Sequence, residues 1–380
     1  MLGTAPRWSR CLGILAGCAA VLGPAAAARA DDKPAPSKKP QVEVVFCLDT
    51  TGSMGGLIEG AKQKIWSISN QIANGKPTPD LKVGLVAYRD KGDVYITKVF
   101  DLTDDLDAVH GHLKEFKAEG GGDTPESVNQ GLDDAVNKIT WGTDAKTLRI
   151  IFLVGDAPPH MDYKDDVKYP ETCKKAVAKG IIINTIQCGT DPECTKFWKD
   201  ICVKAEGSYV NIPQDGGTVA AIPTEYDKRL AEINAELAKT TLTYGDRRRQ
   251  DADNAKKDEA AHLPMAAAAE RAGFNAKAAQ AASYDLLDNI KRGNVKLKDL
   301  KEDELPPELQ KMSAREREEY LDKLDKRREE LRKECLDLDR KRSDAIARKQ
   351  ADLRDQNKSG FDNQVLEVLR RQAKKYNVDY

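Results

Sequence analysis

Between residues 42 and 213 the chain switches repeatedly between two hydrophobic periods. Continuous apolar runs, VEVVFCL (42–48), LKVGLVAY (81–88), VYITKVF (94–100), LRIIFLV (148–154), IIINTIQ (181–187) and GSYVNI (207–212), predict six strands. Apolar residues spaced three and four apart predict helices over 57–72, 106–118, 125–139, 170–179 and 192–205. Strands that are apolar throughout are buried on both faces, which points to a mainly parallel sheet between two helical layers. Only Arg89 to Asp93 separate the second and third runs, too few residues for a crossover, so these two must pair as an antiparallel hairpin. The expected class is α/β: a doubly wound, Rossmann-like, six-stranded sheet with one antiparallel edge strand.

After the last strand, Tyr226, Leu230, Ile233 and Leu237 predict a helix over 224–239, with Thr224 as its N-cap and Asp227 at the third position. This helix is expected to close the sheet domain. Beyond Gly245 the sequence becomes Ala-rich and then densely charged, as an all-α region would be. Ser313-Ala314-Arg315-Glu316 matches a capping box, and 318–355 contains no Gly or Pro, so one long helix is expected there. Leu321, Leu324, Leu331, Cys335 and Leu338 form a heptad-like stripe. Arg328 and Arg342 fall in its seam, so the region is only partly coiled-coil-like. Phe361, Val365, Val368 and Leu369 predict a last amphipathic helix. The expected organisation is an export signal (1–30), a Pro-rich linker (31–40), the sheet domain (41–240) and a helical region (241–380).

The signal is inferred from Arg7 and Arg10, an apolar run over 11–23, and Ala28-Arg29-Ala30 before Asp31. The run is too short to span a membrane. Cleavage after Ala30 is the primary reading; Leu15-Ala16-Gly17-Cys18 offers a lipoprotein alternative with a lipid anchor at Cys18. Either places the mature protein in the periplasm or outside the cell. The 380 residues carry 61 Lys and Arg against 62 Asp and Glu, a net charge of -1. No basic excess exists to hold a nucleic acid. Six cysteines follow the signal; Cys188 and Cys194 are the first pair to consider for a disulfide, and the absence of a C-x-x-C unit argues against structural zinc.

The candidate chemistry lies where parallel strands end, since ligands of such sheets bind at the carboxyl edge. Asp49-Thr50-Thr51-Gly52-Ser53 follows the first strand, Gly120 to Glu126 (GGGDTPE) precedes the third helix, and Gly155-Asp156 ends the fourth strand. Two carboxylates and three hydroxyls are donors that hard cations select, so Mg2+ is expected, with Mn2+ or Ca2+ as alternatives.

This arrangement resembles the metal-ion-dependent adhesion site of the von Willebrand factor type A family, whose pattern is D-x-S-x-S, then Thr, then Asp, on three loops. Asp49, Thr51 and Ser53 match the first piece, with Thr at the position of the first Ser; Thr124 matches the second and Asp156 the third. The resemblance covers about residues 42–222, and DTTGSM, GGGDTPES and GDAPPH look like those of secreted bacterial members. It implies metal ligation by Thr51, Ser53 and at times Thr124, directly or by water, with Asp49 and Asp156 acting largely through bound waters. It also implies a protein partner whose exposed Asp or Glu completes the site, and a shift of the 224–239 helix on ligation.

Other features carry blander expectations. Asp90, Lys91 and Asp93 follow the second strand on the same rim as the candidate site and are candidates to shape partner choice, but read first as a solvated hairpin; His160 reads as loop packing, Arg247 to Arg249 as a solvated turn, and His110 and His112 as facing different ways on one helix. Ser53 has no His partner in a triad context, and no phosphate-binding glycine loop follows residue 245, so neither a hydrolase nor a kinase is expected. The alternative to a binding module is an envelope scaffold acting through its C-terminal helices. Oligomeric state stays open.

Overall fold

The computed structural model describes residues 39–122, 124–216, 221–352 and 361–380. The signal, most of the linker, Asp123 and the end of the predicted long helix lie outside them.

Six strands, β1 (Gln41–Asp49), β2 (Asp80–Tyr88), β3 (Thr97–Thr103), β4 (Leu148–Gly155), β5 (Ile181–Cys188) and β6 (Tyr209–Ile212), form one sheet in the order β3-β2-β1-β4-β5-β6. All neighbours pair parallel except β2 with β3, which form the antiparallel edge. The third strand starts later than its apolar run suggests, because pairing begins at Tyr88 with Thr97. Val94 is left in the loop, 88% exposed.

Alternate residues of β1 feed two cores. Val42, Val44, Phe46 and Leu48 face α1 (Gly55–Ile72) and α2 (Leu106–Glu115); Val45 and Cys47 face α3 (Val128–Asn137), α4 (Tyr169–Ala178) and α5 (Pro192–Lys204). Consequently Cys188 and Cys194, expected as a candidate disulfide, belong to opposite cores and are both free. A strand residue and a residue of the helix behind the sheet cannot bridge across it.

Six further helices follow: α6 (Asp227–Thr240), α7 (Arg247–Ala261), α8 (Met265–Ala278), α9 (Leu286–Lys291), α10 (Pro307–Gln310) and α11 (Ala314–Asp352). A last helix, α12, spans Phe361–Ala373. Contrary to expectation, α6 does not close the sheet. Its apolar stripe, Leu230, Ile233 and Leu237, packs on Ala269, Ala272 and Ala276 of α8 and Leu331 and Cys335 of α11. The sheet is closed by α12, whose Phe361, Val365, Leu366 and Leu369 join the first core, with the Phe361 ring 6.1 Å from that of Phe46. Asn184 and Gln372 exchange buried amide hydrogen bonds, and Lys64 pairs with Asp362, fixing α12 between β5 and α1.

Thr224 and Asp227 do make the expected local bonds, but α6 starts only at Asp227. The Ser313–Glu316 capping box opens α11 as expected. Arg328 and Arg342, the charges in its apolar seam, reach acids of neighbouring elements: buried Asp285 for the first, buried Asp227 and part-buried Glu270 for the second. Arg247 to Arg249 are not a turn but the first turn of α7, because Asp246 caps that helix through the Arg249 amide. Among the described residues no helix is long and apolar enough to cross a membrane.

Candidate metal centre

The crossover from β1 runs through α1 on one face and that from β4 through α4 on the other, so a crevice opens between the carboxyl ends of these adjacent strands. Asp49 closes β1 at this point. It is fully buried, and its Oδ1 accepts hydrogen bonds from the Thr51 amide at 2.9 Å and the Thr51 hydroxyl at 2.7 Å, a tight Asx turn. Its Oδ2 has no partner. Burial, and then the Asp156 carboxylate, push Asp49 up to about 7. The Thr51 and Ser53 hydroxyl oxygens lie 3.4 Å apart.

Asp156 follows β4 directly, and its Oδ2 accepts from Gln214 Nε2 at 2.5 Å. Gly155 lets the two carboxylate loops approach: a side-chain carbon there would sit 2.4 Å from Tyr88 Oη and 3.2 Å from Asp49 Oδ2. The glycine loop before α3 docks onto the first loop, with Gly52 N donating to Gly120 O and Glu119 N to Thr50 O. Gly121 has φ +74°, and a Cβ on it would lie 2.9 Å from Thr51 Cβ. Asp93 pins this loop by accepting from Gly121 N and from Asp90 N.

Four of the five expected residues, Asp49, Thr51, Ser53 and Asp156, are thus drawn together by hydrogen bonds or electrostatic contact. Thr124 stands exposed on the third loop and bonds to none of the other four among the described residues.

The crevice also holds residues outside the expected set. Glu126 is buried, its Oε2 lacks a partner, and burial together with Asp49, Asp90, Asp93 and Asp156 raises it to about 9. Its backbone is fixed by Pro158 O and the His160 amide. Asp90 is no solvated hairpin residue: it is 5% exposed and accepts from Ser127 Oγ and Tyr163 Oη, each at 2.8 Å. His160 stacks on Tyr163 with ring centroids 3.8 Å apart and lies between Asp90 and Asp162. The sequence signal for Glu126 was the acid two positions after Thr124 in TPE, which resembles an ordinary helix-start acid. Topology alone puts Asp90 on this rim, but its burial was not legible, because its partners lie on two other loops.

Residues 43–218 match the family model of the von Willebrand factor A domain. This segment is a von Willebrand factor A domain. Curated relatives match a part of the chain of similar length, three of them as follows. Von Willebrand factor A domain-containing protein 7 of Rattus norvegicus is 36% identical over 120 residues, 32% of this chain and 12% of that protein. The putative ariadne-like RING finger protein R811 of Acanthamoeba polyphaga mimivirus is 30% identical over 125 residues, 31% of this chain and 11% of that protein. Alpha-protein kinase vwkA of Dictyostelium discoideum is 28% identical over 121 residues, 31% of this chain and 19% of that protein. The chain therefore spans less than a fifth of the length of these relatives. Among solved structures, the SpRpn10 VWA domain aligns with 46% of this chain and 89% of its own at 17% identity and TM-score 0.35. Mussel proximal thread matrix protein 1 with a zinc occupied MIDAS motif aligns with 47% of this chain and 43% of its own at 16% identity and TM-score 0.35. Von Willebrand factor A domains are generally protein-interaction modules and can bind a divalent metal.

The residues of this domain fit such an ion. Two buried carboxylate oxygens without partners, Asp49 Oδ2 and Glu126 Oε2, are costly unless a proton or a cation satisfies them. No three His, Cys, Asp or Glu side chains converge in a metal-binding arrangement among the described residues, so a cation here would draw on hydroxyls and water as well as carboxylate. The raised Asp49 gives a pH prediction. Without metal, a carboxyl raised in the folded state contributes stability below its unfolded value near 4 and loses it as pH rises through about 7. A cation competes with that same proton. The difference in melting temperature between Mg2+ and chelator should therefore grow from pH 5 to pH 8, and a constant difference across that range in a thermal-melt series would contradict it.

Proposed function

We propose that the protein is a metal-dependent protein-binding module working outside the cytoplasm. In this reading Asp49, Thr51, Ser53, Thr124 and Asp156 hold a divalent cation, Mg2+ by the hardness of the donors, with Mn2+ or Ca2+ as alternatives. The bound cation would supply positive charge and an exchangeable position that an exposed Asp or Glu of a protein partner can take. The observation that supports this most is the buried, unpartnered Asp49 Oδ2, held against the Asp156 loop in the crevice between β1 and β4. Thr51 fixes the Asp49 carboxylate through two hydrogen bonds, and Gln214 orients Asp156. The module is read as non-catalytic, without nucleic-acid contacts, and exported through its first thirty residues, with a lipid anchor on Cys18 as the alternative to full release.

The test combines binding and stability. A cation that binds only the folded state stabilises it by about 2.7 kcal/mol at a hundredfold excess over its dissociation constant. Mg2+ should raise the melting temperature of the natural protein and leave the Asp49→Ala, Asp156→Ala double variant unmoved, and calorimetry should show no Mg2+ heat for the variant. Partners captured from envelope extract in Mg2+ should be lost with the variant. Unchanged capture would instead favour a scaffold acting through its C-terminal helices.

A further inference from the structure

We infer that the partner's metal-reaching carboxylate is flanked by an apolar side chain, and that this side chain seats on a ledge built by the β2–β3 and β4–α4 loops. The inference rests on the metal-binding reading above and adds what the partner must look like. Seven large apolar side chains are strongly exposed among the described residues. Three of them, Val94 (88%), Met161 (40%) and Val167 (39%), stand on these two loops, which leave the same carboxyl edge as the metal loop. Single exposed apolar residues are ordinary on a protein surface. Their concentration on loops that adjoin a candidate site is the feature that needs a reason.

The ledge is held in place rather than merely exposed. Both neighbours of Val94 are tied to the metal side of the domain: Asp93 accepts from the Gly121 amide, and the Tyr95 hydroxyl lies 2.7 Å from Thr50 Oγ1. The two loops are clamped to each other by Lys91, which pairs with Asp165 at 2.5 Å and Asp166 at 3.4 Å and lies 4.1 Å from the Tyr163 ring centre. Tyr163 in turn donates to Asp90, next to Lys91. With its flanks bonded, Val94 has no local core to turn into, and a partner that covers it meets a surface already ordered.

Contact continuity sets the reach. Val94 adjoins Asp93, Asp93 bonds Gly121, and Gly121 lies against Thr51. That path is on the order of 10 Å, about three residues of extended chain. The apolar residue should therefore fall within three positions of the acid. Charge sets a further condition. The two loops carry six aspartates against Arg89, Lys91, Lys164 and Lys168, and Lys91 is already committed to Asp165 and Asp166. A second acid beside the first would be repelled, so the fitting segment carries one carboxylate, an apolar neighbour and no further acidic residue close by.

The full chain would be panned against a displayed peptide library with one fixed Asp and randomised flanks, in Mg2+ and in chelator. The expected result is Mg2+-dependent selection of Val, Ile, Leu, Met or Phe within three positions of the Asp, with Glu and a second Asp depleted. Burying a Val side chain is worth about tenfold in affinity. Val94→Ser should therefore weaken the selected peptides about tenfold and flatten their apolar preference, while Mg2+ affinity by calorimetry stays unchanged. Because Val94 is almost fully exposed, that variant should fold normally. Met161→Ser gives a second reading from the other loop. Mg2+-dependent selection without flank preference, or equal binding by Val94→Ser and Met161→Ser, would overturn the ledge and leave the metal reading standing. Selection that ignores Mg2+ or the fixed Asp would remove the metal reading and the ledge with it.

Discussion

A chain stopped after Asp352 should lose cooperative folding of its sheet. Without α12, the side of the first core built from Val44, Phe46 and Phe152 faces water, and Phe361, Val365, Leu366, Val368 and Leu369, all nearly inaccessible, are gone. Burying one such side chain contributes about 1.5–3 kcal/mol. Five together come to on the order of 10 kcal/mol even after allowance for residual burial in the unfolded chain, which rivals the 5–15 kcal/mol that holds a typical domain together. The truncated protein should bind a hydrophobic dye, retain far-ultraviolet helix signal and show no sharp melt. A synthetic peptide of residues 361–380 should restore the melt when added in excess, because its contacts to Lys64, Asn184 and Gln71 are polar as well as apolar. Leu369→Ala in the full chain is the milder version, costing about 2–5 kcal/mol. Unfolding of the truncated chain within a few degrees of the intact one would show that α12 is an ornament rather than part of the core.

Arg328→Ala should be the most damaging single substitution in the helical region. Arg328 makes a two-pronged pair with Asp285 at 2.7 and 2.8 Å, reaches Asp288 at 3.4 Å, and donates to the Thr240 hydroxyl at 3.1 Å. Asp285 is fully buried and also accepts from the Leu242 and Asp288 amides, so it joins the segment after α6, the start of α9 and α11 at one point. Removing the guanidinium leaves two buried carboxylates facing each other, at a cost of about 3–5 kcal/mol. Asp288 is already pushed upward by burial and by Asp285, with Arg328 opposing. In the variant that opposition vanishes and Asp288 rises further. A raised carboxyl contributes stability at low pH and loses it as pH increases, so the gap between variant and natural protein should widen from pH 5 to pH 8 in chemical denaturation. A gap that is the same at both ends would mean that the lost term is packing and not charge.

The strands and the one antiparallel pair were legible because a sheet covered on both faces demands uninterrupted apolar runs and a five-residue link forbids a crossover, and each run became a strand within a few residues of its expected ends. The loops expected to hold a metal could be picked out because their oxygen donors sit at strand ends; Asp49, Thr51, Ser53 and Asp156 come together there, whereas Thr124 bonds to none of them among the described residues. What could not be read was partnership between distant elements. The stripes of α6 and α12 are both amphipathic, and periodicity says only that each needs a cover; which one lies on the sheet depends on packing against Phe46 and Phe152, far away in the chain. Arg328 and Arg342 looked like flaws in a coiled-coil seam because their acids, Asp285 and Asp227, belong to other helices. Glu126 looked like a helix-start acid because nothing in TPE reveals that Asp49, Asp90 and Asp93 surround it.

The lid on the sheet is far from the sheet's first strand along the chain. Phe46 meets Phe361 across almost the whole span of the described fold, so this is a domain with contacts of great sequence separation. Folding that depends on such closure is slow, and until α12 docks the chain has an open greasy flank for chaperones to hold. In the export reading proposed above, that delay would keep the chain in a state that can still be threaded through a translocation pore.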